Sequence, residues 1–242
     1  VTLVLAHRGS RLRAAENTIS AFAQAVSEGA DGVELDVQGT ADDALVVLHD
    51  TTTGAGPVAG LPLAALRGGL PDLPVLDECL DVLAGHLVNI ELKHQPPKFG
   101  GPGDDAGDRV VGLLSELLGH RATRGIADHV VVSSFDLRVV DRVVASAPEV
   151  ETAFLCTFGL DPHTALAIAA DHGHRGLHPD VRLLGGDVAV RLVEDAHARG
   201  LAVRPWTVNE AAEVARLGGL GVDAVISDDP IAARAALGSV RG

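Results

Sequence analysis

The chain lacks the features that would place it in several large classes. No run of apolar residues approaches the roughly 20 needed to cross a bilayer. The opening stretch Val1–Ala6 is too short, and lacks the cationic flank, for the core of a secretion signal, so it reads as a first strand. Only two cysteines occur, Cys79 and Cys156, which excludes a disulfide framework or a cysteine-based zinc motif and leaves two reduced, buried thiols as the expectation. Positive charge is scarce. Nineteen basic against 33 acidic residues give a net charge of −14, a field that repels nucleic acid and anionic membrane surfaces. No nucleic-acid partner and no stable membrane association are therefore expected. A cytoplasmic location is expected, with a leader removed ahead of Val1 left open. Of the basic residues only Lys93 and Lys98 are lysines, so an anionic ligand must be met by a local cationic pocket.

What is present is a pattern of short apolar runs alternating with amphipathic, alanine-rich stretches. The 242 residues, 47% of them hydrophobic, can fill one large core. Candidate strands are Leu3–Ala6, Gly32–Val37, Leu45–Leu48, Val88–Leu92, Val130–Ser133, Thr152–Cys156, Gly176–His178, Ala202–Trp206 and Ala224–Ser227. Helical stretches such as Ile19–Glu28, Ala106–Leu118, Leu137–Ala145, Pro162–His172, Val188–Arg199 and Glu210–Leu217 fall between most of them. Such alternation predicts a parallel sheet with helices outside it. Nine strands are one too many for a barrel of eight. Only seven residues separate Val37 from Leu45, whereas a parallel crossover needs about a dozen. Leu45–Leu48 must therefore return antiparallel, through a turn on Gly39, Asp42 and Asp43. Eight βα units remain, and the first strand is not followed by a glycine-rich dinucleotide loop. The expected fold is a single (β/α)8 TIM barrel spanning 1–242 as one domain, with a short antiparallel hairpin excursion after the second strand. Two Pro/Gly-rich loops, Thr51–Pro74 and Gln95–Gly103, interrupt the pattern.

In such barrels the chemistry sits at the C-terminal strand ends. Glu34 and Asp36, two apart on a strand, share a face, and with Leu35 and Val37 turned to the helices that face is the interior. Two carboxylates inside a barrel repel unless a cation sits between them. Glu91 offers a third, with the Lys93 ammonium beside it. Three carboxylates and no thiolate suit one hard divalent cation, Mg2+ or Ca2+. Of eleven histidines, those at 86, 120, 129, 163, 172, 174 and 197 fall in helices or loops, where a solvated role is the default. His7 and His49 fall at strand ends facing the carboxylates, where two imidazoles could divide general-base and general-acid duties. Asp50 could fix a tautomer or hold one ring protonated. Arg8 and Lys93 supply the cationic complement for phosphoryl oxygens.

His7-Arg8-Gly9, Glu16-Asn17-Thr18, Glu34-Leu35-Asp36, His49-Asp50 and Glu91-Leu92-Lys93, in this order and spacing, resemble the glycerophosphodiester phosphodiesterase family. Ser133-Ser134-Phe135-Asp136, Trp206-Thr207-Val208-Asn209 and the segment Gly221–Pro230 resemble later motifs of the same family, so the likeness spans essentially the whole chain. The resemblance implies hydrolysis of small glycerophosphodiesters to sn-glycerol 3-phosphate and an alcohol. It implies that Glu34, Asp36 and Glu91 hold the ion, that His7 and His49 are the acid–base pair, that Arg8 and Lys93 contact phosphate, and that Trp206 lies against the glycerol. Glu16 would orient Arg8 or cap the helix near Thr18, with the structural role preferred. Either the glycerol 2-hydroxyl, giving a cyclic phosphate, or water could attack first. One departure concerns the stretch after His49-Asp50, where the family commonly has a longer insertion with an arginine near a Thr-Thr step. Here Thr51-Thr52-Thr53-Gly54 follows directly and the next arginine is Arg67, which puts the covering of the site, and the choice of alcohol, in doubt. Phospholipase-D-like cleavage of lysophospholipids and a barrel that only binds phosphodiesters are the alternatives, and a nuclease is disfavoured by the charge.

Overall fold

Strand and helix alternate as the hydrophobic pattern requires. The computed structural model describes residues 1–93 and 105–239, so the expected Gln95–Gly103 loop, with Lys98 and Phe99, lies outside the described residues. The first half contains β1 (Leu3–His7), α1 (Ile19–Ser27), β2 (Gly32–Gly39), β3 (Leu45–Val47), β4 (Thr52–Thr53), β5 (Gly56–Pro57), α2 (Leu63–Gly69), α3 (Leu76–Val82), β6 (Leu87–Leu92) and α4 (Asp105–Thr123). The second half continues with β7 (His129–Ser134), α5 (Leu137–Ser146), β8 (Glu151–Cys156), α6 (Pro162–Asp171), β9 (Gly176–Pro179) and α7 (Asp187–Ala198). It ends with β10 (Ala202–Val203), α8 (Ala211–Leu220), β11 (Ala224–Ser227) and α9 (Pro230–Ser239).

Eight of the strands run parallel in the order β1-β2-β6-β7-β8-β9-β10, with β11 on the other side of β1. Backbone hydrogen bonds from Asp223 N to Val203 O and from Ile226 N to Pro205 O, both 2.9 Å, link β10 to β11 and bring the ring round. This is the expected (β/α)8 barrel, and β3 pairs antiparallel with β2, as the seven-residue spacing demanded. The seventh barrel strand is regular only over Ala202–Val203, shorter than the expected Ala202–Trp206, because Pro205 has no N–H to contribute to the ladder. Arg204 and Trp206 still donate to Leu177 O and Pro179 O, so the chain keeps its course to the mouth. Thr51–Pro74, read as irregular, contains the β4–β5 hairpin and α2, gathered on a small apolar cluster of Val46, Val58, Leu66 and Leu73.

Outward-facing strand residues such as Val33, Leu35, Val37 and Ile90 pack on Phe22, Ala25, Leu76 and Leu80 of the surrounding helices. Helix α1 starts at Thr18, whose hydroxyl accepts from Ala21 N, and it buries Ala21, Phe22 and Ala25 on one stripe. Inside the barrel Leu5, Ala224 and Ile226 form an apolar floor. Gly32 begins β2 just above it, where a Cβ would come within 2.1 Å of Leu87 O, so only glycine allows this approach of β2 to β6. The inward parity set by Gly32 then carries Glu34 and Asp36 up toward the mouth. Cys79 and Cys156 are both free and buried, as expected.

Candidate active site at the barrel mouth

Strand register builds the site. His7 pairs with Glu34 across β1 and β2, and Asp36 with Glu91 across β2 and β6, so four inward positions fall on neighbouring strands. Oxygens of Glu34, Asp36 and Glu91 lie within 4.8 Å of one another. All three side chains are buried, and Glu34 Oε1 has no hydrogen-bond partner. Burial, then the charges of Asp36 and Glu91, hold the Glu34 carboxyl well above the usual carboxylate range. Asp36 goes the other way. Burial would raise it, but Lys93, Arg8 and the Asn17 amide together hold it below its ordinary value. Glu91 is raised by burial, with Lys93 opposing.

Lys93 follows β6 directly, its amide donating to Val37 O, and its Nζ lies 2.5 Å from Glu91 Oε1 and 2.9 Å from Asp36 Oδ1. Arg8 sits in the left-handed region at φ 56°, a strained position for a non-glycine residue, and its amide donates to Glu34 O. Its Nε lies 3.1 Å from Asp36 Oδ2 and its Nη1 donates to Glu16 at 2.8 Å. Glu16 thus orients Arg8, while Thr18 does the capping.

His7 Nδ1 lies 2.6 Å from Asp228 Oδ1, and its Nε2 lies 3.9 Å from Glu34 Oε2. Asp228 is fixed in turn by the Asn209 amide at 2.7 Å and by Arg11, which also pairs with Glu16. Burial alone would raise the Asp228 carboxyl, but hydrogen bonds from His7 and Asn209 and the neighbouring charges outweigh it and hold it at about 2. An ionised Asp228 accepts from an Nδ1–H, an arrangement that turns Nε2 toward Glu34. His49, beyond β3, meets Asp50 Oδ1 with Nδ1 at 2.8 Å. It lines a cavity of about 440 Å³ together with Glu91, Lys93, Ser134 and Phe135. Trp206 packs edge-on against Phe135 at 5.5 Å, and its indole N–H donates to His178 O.

The predicted residues His7, Arg8, Glu34, Asp36, Glu91 and Lys93 therefore form one contiguous cluster. His49 faces it across the cavity, and Trp206 stands one ring away behind Phe135. Sequence reasoning gave no role to Asp228, Asn209 or Asn17, although each lay in a segment already marked as a motif. Asn17 meets Asp36 and Asn209 meets Asp228, each 19 residues apart, whereas Asp228 meets His7 across 221 residues, which only the closed ring brings together.

An all-oxygen ligand set with one orphaned buried carboxylate oxygen fits a hard divalent cation. Fold and site together define a barrel enzyme with its acids, imidazoles and cations gathered at the C-terminal mouth. A sequence model of the glycerophosphoryl diester phosphodiesterase family matches residues 7–232. A glycerophosphodiester phosphodiesterase of Caldanaerobacter subterraneus subsp. tengcongensis is 33% identical, with 95% of each chain covered. Another from Bacillus altitudinis is 30% identical, over 95% of this chain and 96% of that one. The structure of an Oleispira antarctica phosphodiesterase in complex with the product sn-glycerol-3-phosphate superposes with a TM-score of 0.81. It is 25% identical, with 98% of this chain and 97% of that chain covered. The chain belongs to the glycerophosphoryl diester phosphodiesterase family and is a phosphoric diester hydrolase.

Proposed function

We propose that the chain cleaves small glycerophosphodiesters to sn-glycerol 3-phosphate and an alcohol, with His7 and His49 as the acid–base pair. Glu34, Asp36 and Glu91 would hold one divalent cation, Mg2+ or Ca2+. The observation that carries this reading is the buried, partnerless Glu34 Oε1 within a purely carboxylate set. The sn-glycerol-3-phosphate bound to the Oleispira antarctica neighbour supports the product.

A cation held there would polarise a phosphoryl oxygen and offset its charge. The remaining work falls to the chain's own groups. His7, with Nδ1 held by Asp228, presents Nε2 as the base that takes a proton from the attacking hydroxyl. His49 lines the cavity with its side chain 39% exposed, where it can protonate the departing alkoxide. Arg8 is fixed by Asp36 and Glu16, and Lys93 by Glu91 and Asp36, so both cations are positioned before a phosphate arrives. Trp206 and Phe135 offer an apolar wall for the glycerol carbons.

A second reading, cleavage of lysophospholipids, draws on Phe135 and Phe158, both exposed beyond strand ends on the mouth side. The Arg182 guanidinium stacked on one face of Phe158 at 4.3 Å is neutralised by Asp180, however, and the net charge of −14 opposes anionic lipid. The soluble diester is the better supported substrate.

A panel of glycerophosphodiesters assayed for glycerol 3-phosphate release, with and without chelator, tests the proposal. Release that stops on chelation and returns with Mg2+ or Ca2+ is expected. Full activity after exhaustive chelation, or release of free glycerol with a phosphorylated alcohol, would overturn it.

A further inference from the structure

Near the N-terminal ends of β8 and β9, away from the mouth, Asp141 of α5, His172 at the end of α6 and His174 just before β9 converge. One ligand atom from each lies within 4.8 Å of the other two. Asp141 Oδ1 stands 3.0 Å from His172 Nδ1 and 3.2 Å from His174 Nε2. Four ligands at zinc–ligand lengths of about 2.0–2.1 Å sit roughly 3.3 Å apart along the edges of a tetrahedron, close to both separations.

His174 supplies the second observation. It is only 3% exposed, and its buried Nε2 is turned into the cluster, 3.2 Å from Asp141 Oδ1. Its other nitrogen, Nδ1, meets Thr152 Oγ1 at 3.0 Å. An Nδ1–H donating to that hydroxyl leaves the Nε2 lone pair directed at the cluster, the arrangement in which histidine ligands are ordinarily held. The two imidazole planes lie within 19° of each other. Asp141 and His172 are partly exposed, so an ion can enter from solvent and keep a water ligand. Solvated histidines were the expectation for 172 and 174, and His174 departs from it completely.

We propose that Asp141, His172 and His174 form a second metal site, separate from the mouth, for a transition ion of the Zn2+ class. Two imidazole nitrogens and one carboxylate oxygen suit that class and not Mg2+ or Ca2+. Bound metal would tie α5, the end of α6 and the start of β9 together, stabilising three successive βα units without touching the reacting groups.

The test uses full-length protein saturated with Mg2+, titrated with Zn2+ by calorimetry and by metal analysis after dialysis. His172→Ala removes a partly exposed ligand, so its fold should survive, and Asp141→Asn provides an independent variant. Wild type should bind one more equivalent of Zn2+ than either variant and gain Tm with Zn2+ where they do not. Loss of a ligand should weaken binding by roughly 100-fold or more, beyond the effect of disturbing a supporting contact. Cu2+ loaded in place of Zn2+ should show imidazole nitrogen couplings by electron paramagnetic resonance that diminish in His172→Ala. Phosphodiesterase activity in Mg2+ should be the same in all three proteins. Equal Zn2+ stoichiometry in wild type and variants, or no Zn2+-dependent Tm difference between them, would overturn the proposal.

Discussion

Asp228 Oδ1 lies 2.6 Å from His7 Nδ1, joining the last barrel strand to the first across 221 residues of sequence. Asp228→Asn keeps the shape but loses the charge that fixes the imidazole tautomer. Its kcat is expected to fall by about 10–100-fold with the circular dichroism spectrum unchanged. The carboxyl is held at about 2, below its unfolded value. Its contribution to stability is therefore present above about pH 4 and is lost as pH falls toward about 2. The Tm gap between wild type and Asp228→Asn should close over that window, and a gap that stayed constant would remove the ion pair from the account.

Glu34 predicts a change of sign. Without a cation its charge is disfavoured by burial and by Asp36 and Glu91, so Glu34→Gln should raise Tm in chelator. With metal at about 100 times Kd, wild type should gain about 2.7 kcal/mol, or about 5–10 °C, and the variant little. Differential scanning calorimetry in both conditions checks this. A variant that is less stable in chelator would show that the cluster is not under repulsion.

The two histidines should separate by leaving group. His7→Ala and His49→Ala are each expected to lower kcat by about 100-fold on glycerophosphocholine. A nitrophenyl diester, whose alcohol leaves without protonation, should partly restore His49→Ala and leave His7→Ala impaired. Steady-state kinetics on the two substrates decides, and the reverse pattern would exchange the roles.

Lys93 is expected to combine two duties. Its ammonium lies between Glu91 and Asp36, so Lys93→Met should lose stability in chelator, on the order of 3 kcal/mol. In saturating metal it should depress kcat more than it raises KM, as expected for a charge that stabilises the transition state. An effect on KM alone would make it a docking residue.

Substrate choice separates the diester from its lipid rival. Glycerophosphocholine or glycerophosphoethanolamine should show a higher kcat/KM than the matching lysophospholipid, and anionic vesicles should not stimulate turnover. No described helix is long and apolar enough to cross a membrane. Strong vesicle activation would favour the lipid reading, with Phe135 and Phe158 as the contact points.

The barrel was legible because each strand is a short apolar run bounded by turns, and because seven residues cannot span a parallel crossover. Glu34 and Asp36 were legible because side chains on a strand alternate, so two acids two apart share the interior. Asp228 was visible as a polar strand end, but its partner depends on closure between the two ends of the chain. Glu16 serving Arg8 and Arg11 depends on the path of the loop after β1, where Arg8 takes a left-handed backbone that no local pattern announces. His174 stands in a stretch that reads as a loop, and only the approach of β8 buries it. Helix α2 escaped notice because Gly68, Gly69 and Pro62 mask a cluster that takes Val46 from another strand.

His49 does not stand on a barrel strand. It follows β3, the antiparallel return, at the head of the excursion that continues through the β4–β5 hairpin and α2. His7 and the three carboxylates belong to the ring itself, whose register cannot shift by one position without exchanging its inward and outward side chains. The two imidazoles of the proposed acid–base pair thus sit on parts of the chain with unequal freedom to vary. The excursion can lengthen or shorten, moving the His49 imidazole and the surface beside it, while the ring that carries His7 and the carboxylates stays as it is. Divergence among enzymes built this way should be sought in that appendage, and a chimera that swaps it would transfer alcohol preference without rebuilding the barrel.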